Sequence, residues 1–260
     1  MKKINISENA HKQIKRLFSS RNSVNTLKSD PELTAIFDNF AFDETLQAAD
    51  GLVEEKTRVM CILASCMGCN ALTEFRMYVD AALNVGVKPR EIREIVYQAV
   101  PFLGFSRVLC FLLAMNEVFD DNDIRLPLDD QATTTEETRH QAGKEMIDAL
   151  WGEGNCDNMY ETSPKGQEHI VRYMQDYCFG QFYTRNGIDL QHRELITFCM
   201  LAALGGVDFR LRTHAIGCKN TKITKEEMVA AVTAMLPWIG FPRSLNALNI
   251  ITDAYSEKLI

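Results

Sequence analysis

Apolar residues recur at three-to-four spacing along this chain. The clearest stretches are Ile92, Ile95, Val96, Ala99 and Val100, and again Met228, Val229, Val232, Met235 and Leu236. Each runs to a proline, Pro101 or Pro237, that is expected to end or kink it. No stretch of useful length alternates as a strand would, so the pattern predicts an all-α protein. Helix starts are legible at Lys88-Pro89-Arg90-Glu91 and at Thr224-Lys225-Glu226-Glu227, where proline or a threonine cap precedes acidic residues that complement the helix dipole. The run Val108–Met115 is apolar nearly all round, and such a helix needs partners on every side.

The pattern is written twice. Arg58–Asn116 and Arg193–Asn249 share an apolar helix beginning at an arginine, a polar stretch, and a closing Pro-x-x-Gly-Phe segment, Pro101–Phe105 and Pro237–Phe241. Arg193 follows Arg58 by 135 residues and Pro237 follows Pro101 by 136, so one indel separates the copies. The similarity extends upstream, where Glu8–Phe18 resembles Glu137–Ile147. Two repeats are therefore expected, 1–125 and 126–260, joined through the polar stretch Asp120–Thr135. Fused copies of one helical unit are predicted to pack face to face about a pseudo-two-fold axis as one body.

Composition narrows the function classes. A chain with 46% hydrophobic residues, a net charge of −7 and no basic stripe is an ordinary globular protein that repels phosphate backbones, which removes nucleic-acid binding. The lysines near the N-terminus have no apolar segment behind them and no run approaches a membrane span, so a cytoplasmic protein with no membrane partner is expected. Most of the eight cysteines, including Cys61, Cys110, Cys178 and Cys199, sit in apolar helical runs and read as core thiols. The five histidines, His11, His140, His169, His192 and His214, have no ligand spacing, so no metal is expected.

Arg193-Glu194-Leu195, the small-residue run Leu201–Gly206, His214 and the segment Pro237-Trp238-Ile239-Gly240-Phe241-Pro242-Arg243 resemble the carboxymuconolactone decarboxylase family. The resemblance implies the all-helical alkylhydroperoxidase-D-like fold and, as activity, a cofactor-independent lyase or isomerase on a small carboxylated lactone or related enolisable acid. It marks Glu194 and His214 as functional. Spacing bears on the pair independently: with Gly205-Gly206 as a hairpin turn, the two residues lie about 16 and 12 Å along antiparallel helices, at nearly one level. A carboxylate there orients an imidazole for acid or base work. The same two residues also read as a helix-start glutamate and a polar-face histidine.

Arg193 and Arg243 are the cations expected to hold a substrate carboxylate, with Trp238 and Phe241 as apolar walls. Arg58 and Arg107 stand at the corresponding places of the first copy, which favours a structural role for both arginines. That copy has Val59 for Glu194 and Tyr78 for His214, so catalysis is expected in the second.

Two other readings stay open. Cys66-Met67-Gly68-Cys69 is a C-x-x-C that would suit a thiol-dependent hydroperoxide reductase, with Glu54 twelve residues before it but Thr73 in place of the histidine that the alkylhydroperoxidase-D-like motif carries. The register with copy two puts both cysteines at core positions near a helix end. The other reading is a non-catalytic helical module holding an apolar small molecule among Trp238, Phe241 and methionines. The resemblance further implies a ring of six units, which a duplicated chain would rebuild as a pseudo-hexameric homotrimer.

Overall fold

A computed structural model of the chain describes residues 5–18 and 29–256, and among them every regular element is a helix. The first repeat contains α1 (Glu8–Leu17), α2 (Pro31–Asn39), α3 (Thr45–Ala49), α4 (Glu55–Gly68), α5 (Leu72–Asn84), α6 (Pro89–Leu103) and α7 (Phe105–Asp121). The second contains α8 (Arg139–Trp151), α9 (Asn155–Glu161), α10 (Glu168–Tyr173), α11 (Leu190–Leu204), α12 (Asp208–Asn220), α13 (Lys225–Ile239) and α14 (Phe241–Ser256). Wider π-helical turns at Phe40–Glu44 and Met174–Tyr183 occupy matching places in the two repeats.

The helix ends follow local chemistry. Thr224 caps α13 by accepting from the Glu227 amide, while the Glu227 carboxylate accepts from the Thr224 amide at 2.6 Å. The prolines act differently from the sequence expectation. Pro101 and Pro237 lie inside α6 and α13, which run two residues further before Gly104 and Gly240 stop them at φ 81° and 78°. Glycine enters that left-handed region without a Cβ penalty, so the glycine rather than the proline ends each helix.

The two repeats meet along α4 and α11, which run parallel beside the pseudo-two-fold axis. Thr57 Oγ1 bonds His192 Nε2 at 3.0 Å at one end, and Gly68 abuts Ala203 at the other. These are pairs of equivalent positions. A Cβ on Gly68 would come within 2.4 Å of the Met200 carbonyl oxygen, so the close approach requires glycine. Surrounded by helices of both repeats, α4 is buried from Arg58 to Gly68 without interruption. A single apolar core runs through α4, α5, α6, α11, α12 and α13. The molecule is one body rather than two beads.

The polar stretch between the repeats is tied down along its length. Arg93 on α6 donates to the Leu128 carbonyl at 2.9 Å and to that of Asp129, Asn186 donates to the Gln131 carbonyl at 2.9 Å, and the Thr134 hydroxyl donates to the Gly180 carbonyl at 2.7 Å.

On α7, Val108, Phe111, Ala114 and Met115 face the core, but Phe105, Leu109 and Leu113 form an exposed stripe one turn apart. Phe241 and Leu245 on α14, the equivalents of Phe105 and Leu109, are exposed as well. No helix among the described residues is long and apolar enough to cross a membrane.

Candidate functional site

The α11–α12 hairpin brings Glu194 and His214 together, as its register predicts. Glu194 Oε2 bonds His214 Nδ1 at 3.0 Å, and its Oε1 accepts the Tyr183 hydroxyl at 2.7 Å from the π-helical turn. Glu194 is 0% exposed and His214 4%. A carboxylate is an acceptor, so the ring proton sits on Nδ1 and Nε2 is the basic nitrogen. Nε2 has no hydrogen-bond partner among the described residues. Burial and the Glu194 charge both push the Tyr183 phenol far up, so it stays a neutral donor.

Two aromatic rings pack edge-on against the imidazole: Phe102, at 5.1 Å between centroids, and Trp151, at 6.0 Å. Phe102 comes from α6 of the other repeat. Gly217 lets the carboxylate pack directly against α12, since a Cβ there would lie 1.9 Å from Glu194 Oε2.

Arg193, one residue from Glu194, points elsewhere. The sequence expectation gave it a substrate carboxylate, but its guanidinium donates to Glu94 Oε2 at 3.1 Å, Gln98 Oε1 at 2.9 Å and the carbonyls of Arg185 and Asn186. Glu94 also takes Arg185, through its Nε at 3.0 Å. Gln98 passes the link back toward the site, donating to Thr197 Oγ1 at 3.2 Å, and the Tyr183 hydroxyl reaches that oxygen at 3.5 Å. Arg193 is thus a buried tie between repeats, with its two terminal nitrogens bonded to protein and Nε without a partner among the described residues.

Arg243 and the apolar residues also depart from expectation. The Arg243 guanidinium donates to Cys69 Sγ at 3.3 Å and packs over Gly205, at the C-terminal ends of α4 and α11. Its equivalent Arg107 donates to the Gly68 carbonyl at 3.3 Å, a shared use of cations at helix C-termini. Trp238 packs on Tyr78 at 5.0 Å, with Phe37 and Phe42 beside it, and Phe241 is exposed and stacks on Phe40. Neither ring touches His214. Each repeat sends the end of its proline-bearing helix across the axis, so Trp238 covers the first site and Phe102 the second.

A cavity of about 690 Å³ opens in the first repeat, lined by Phe18, Phe37, Phe42, Cys66, Cys69 and Trp238 among others. Cys66 is buried in the last turn of α4 and Cys69 is its C-cap. Burial pushes both thiols up; Glu74 adds to the effect at Cys66 and Arg243 opposes it at Cys69. A helix C-terminus further disfavours thiolate. Glu54 is the exposed N-cap of α4, about 18 Å along the axis from Cys66, too far to act on it. Among the described residues no group of His, Cys, Asp and Glu is arranged to hold a metal ion.

The model of the carboxymuconolactone decarboxylase family matches this chain twice, over residues 31–117 and 168–253, once in each repeat. The chain belongs to that family. The 4-carboxymuconolactone decarboxylase of Acinetobacter baylyi is 25% identical over 122 residues, which is 47% of this chain and 90% of that protein, so the relative has the length of one repeat. A crystal structure titled as a gamma-carboxymuconolactone decarboxylase subunit, from Burkholderia xenovorans LB400, superposes with a TM-score of 0.56 at 18% identity. It covers 95% of this chain and 96% of its own, a likeness of fold across both repeats.

Within this carboxymuconolactone decarboxylase fold the repeats have diverged in complementary ways. The second holds the Tyr183–Glu194–His214 chain in a closely packed setting, and the first holds buried Val59 and Tyr78, with Tyr78 packed on the Phe18 and Trp238 rings that line an open cavity. Sequence reasoning missed Tyr183, Phe102, Trp151 and Gly217. The one available signal was the equivalence of Phe102 with Trp238 in the repeated closing segment.

Proposed function

We propose that the second repeat carries a cofactor-independent lyase or isomerase activity on a small carboxylated lactone or related enolisable acid, with His214 as its acid and base. The observation that carries this reading is the hydrogen-bonded chain from Tyr183 through Glu194 to His214 Nδ1, which leaves Nε2 directed at no protein group. In a decarboxylation, the bond to the carboxylate carbon breaks, CO2 leaves, and the electron pair spreads into the lactone carbonyl as an enolate. His214, having taken up a solvent proton at Nε2, delivers it to carbon, and Glu194 stabilises the imidazolium that supplies it. In an isomerisation the same nitrogen first removes the proton. Arg193 is spent on Glu94 and Arg243 on Cys69, so the surroundings contributed by Phe102 and Trp151 offer a carboxylate little solvation, which favours its departure as CO2. Because His214 is nearly closed off, substrate entry requires the packing around the imidazole to open.

A panel of carboxylated lactones, followed by CO2 release, tests this reading. Wild-type protein is expected to turn over at least one member, and His214→Ala to lose about 10²-fold or more. Robust turnover by His214→Ala would sink the role given to this residue.

One observation favours a second reading: Cys66 and Cys69 both line the first-repeat cavity, and Arg243 bonds the Cys69 sulfur. Such a pair would reduce a hydroperoxide to alcohol and water while closing to a disulfide. The raised thiols and the helix C-terminus weigh against it. An absence of peroxide consumption with a dithiol donor removes it.

A further inference from the structure

The cavity of the first repeat stands apart from the chemistry assigned to His214, and its lining has a definite character. Its apolar wall is aromatic, with Phe18, Phe37, Phe42 and Trp238 interlocked edge to face at centroid separations from 5.0 to 6.3 Å. Its volume, about 690 Å³, lies within the range of small-molecule sites. Two of its three lining hydroxyls are spent on backbone, Ser65 donating to the Ile62 carbonyl at 2.7 Å and Thr34 to that of Asp30 at 2.8 Å, while the Thr73 hydroxyl makes no hydrogen bond with the described residues.

The charged lining is acidic. Asp30, Asp38 and Glu74 face the cavity, and among the described residues no lysine, arginine or histidine lines it. Asp38 and Glu74 accept no hydrogen bond from the described residues, although both are partly buried. Burial raises the Asp38 carboxyl, which nearby His11 only partly opposes. A carboxylate held in a half-dry place without a hydrogen bond is stabilised by a cation, and the faces of Trp238 and the phenylalanines attract cations too. A second carboxylate would meet like charge there.

We propose that this cavity binds a small amphipathic amine, its apolar body against Trp238, Phe37 and Phe42 and its ammonium on Asp38 and Glu74. The site is separate from the proposed His214 chemistry and takes the opposite charge. In this chain one repeat keeps acid–base groups for an anionic substrate, and the other has exchanged them for room and negative charge.

The two tryptophans make the proposal testable, because Trp238 lies in the cavity and Trp151 beside His214. In the full-length chain with Trp151→Phe, Trp238 alone reports. Titration with 4-phenylbutylamine, 4-phenylbutanol and 4-phenylbutyrate compares three head groups on one body. The amine is expected to shift Trp238 emission saturably and to bind at least about tenfold more tightly than the acid. Asp38→Asn or Glu74→Gln is expected to weaken the amine by about tenfold while leaving the alcohol nearly unchanged. Acid binding as tight as the amine, or no saturable shift with any of the three, would overturn the proposal. So would a response confined to Trp151 in the Trp238→Phe protein. Lactone turnover is scored separately, so failure of either idea leaves the other standing.

Discussion

Glu194 and His214 stand 20 residues apart in the chain and 3.0 Å apart in space, with the Tyr183 hydroxyl on the other carboxylate oxygen. If that carboxylate orients and supports the imidazole, Glu194→Gln should keep the packing and lose about 10²-fold in kcat. Tyr183→Phe should lose less, about tenfold, because it removes a neutral hydrogen bond rather than the charge. Steady-state kinetics on whichever lactone proves to be a substrate decide both. Equal activity in wild type and Glu194→Gln would show that the pair is structural.

Gly217→Ala is predicted to destabilise the protein, against the usual gain of about 1 kcal/mol for replacing a helical glycine. The new methyl would lie 1.9 Å from Glu194 Oε2, so the carboxylate must move. Overpacking of this kind costs about 1–3 kcal/mol. Urea unfolding measures it, and an unchanged or higher midpoint contradicts the argument.

Glu94 is the hub of the tie between repeats, holding Arg193 and Arg185 in a fully buried site. Removing one partner of a buried ion pair costs about 3–5 kcal/mol, because the other charge stays uncompensated. Glu94→Ala should fall in that range by denaturant unfolding, more than any exposed pair such as Arg76–Glu117.

Thiol chemistry supplies the pH prediction. Burial pushes the pKa of Cys66 and Cys69 up, so thiolate appears only above the ordinary cysteine range. Alkylation by iodoacetamide should therefore be slow at pH 7 and accelerate beyond pH 9, with half-exposed Cys69 modified well before buried Cys66. Peptide mapping follows each site. Rapid labelling of Cys66 at neutral pH would revive the peroxidase reading.

The exposed stripes on α7 and α14 lead to an assembly prediction. Phe105, Leu109 and Leu113 on one helix and Phe241 and Leu245 on its equivalent form apolar surface at pseudo-symmetric places on one chain. Three chains burying these stripes would close a ring with pseudo-sixfold character. Light scattering should give about 90 kDa, three times the 29.5 kDa chain, and Leu109→Glu with Leu245→Glu should lower it. A monodisperse wild-type monomer removes the idea.

What the sequence made legible was what lies within one hairpin or one period. The helices, the duplication and the pairing of Glu194 with His214 follow from spacing at 1.5 Å per residue. What stayed hidden crosses the axis. Arg193 finds Glu94 across 99 residues and Phe102 reaches His214 from the other repeat, and no local pattern specifies such exchanges. Trp238 likewise crosses to the first-repeat cavity, and Phe241 lies exposed against Phe40. The π-helical turn that delivers Tyr183 has no period of its own to read, and the first-repeat cavity is an absence of bulk, which no motif announces.

The parallel contact of α4 with α11 has an evolutionary consequence. In a symmetric dimer of identical units, a residue at the two-fold axis meets its own image, so only self-compatible side chains survive there. Joining the units in one chain lifts that restriction. Thr57 here faces His192 and Gly68 faces Ala203, two unlike couples at positions that a homodimer would fill with twins. Covalent linkage lets the seam itself encode which half is which, and selection can then specialise the two sites independently.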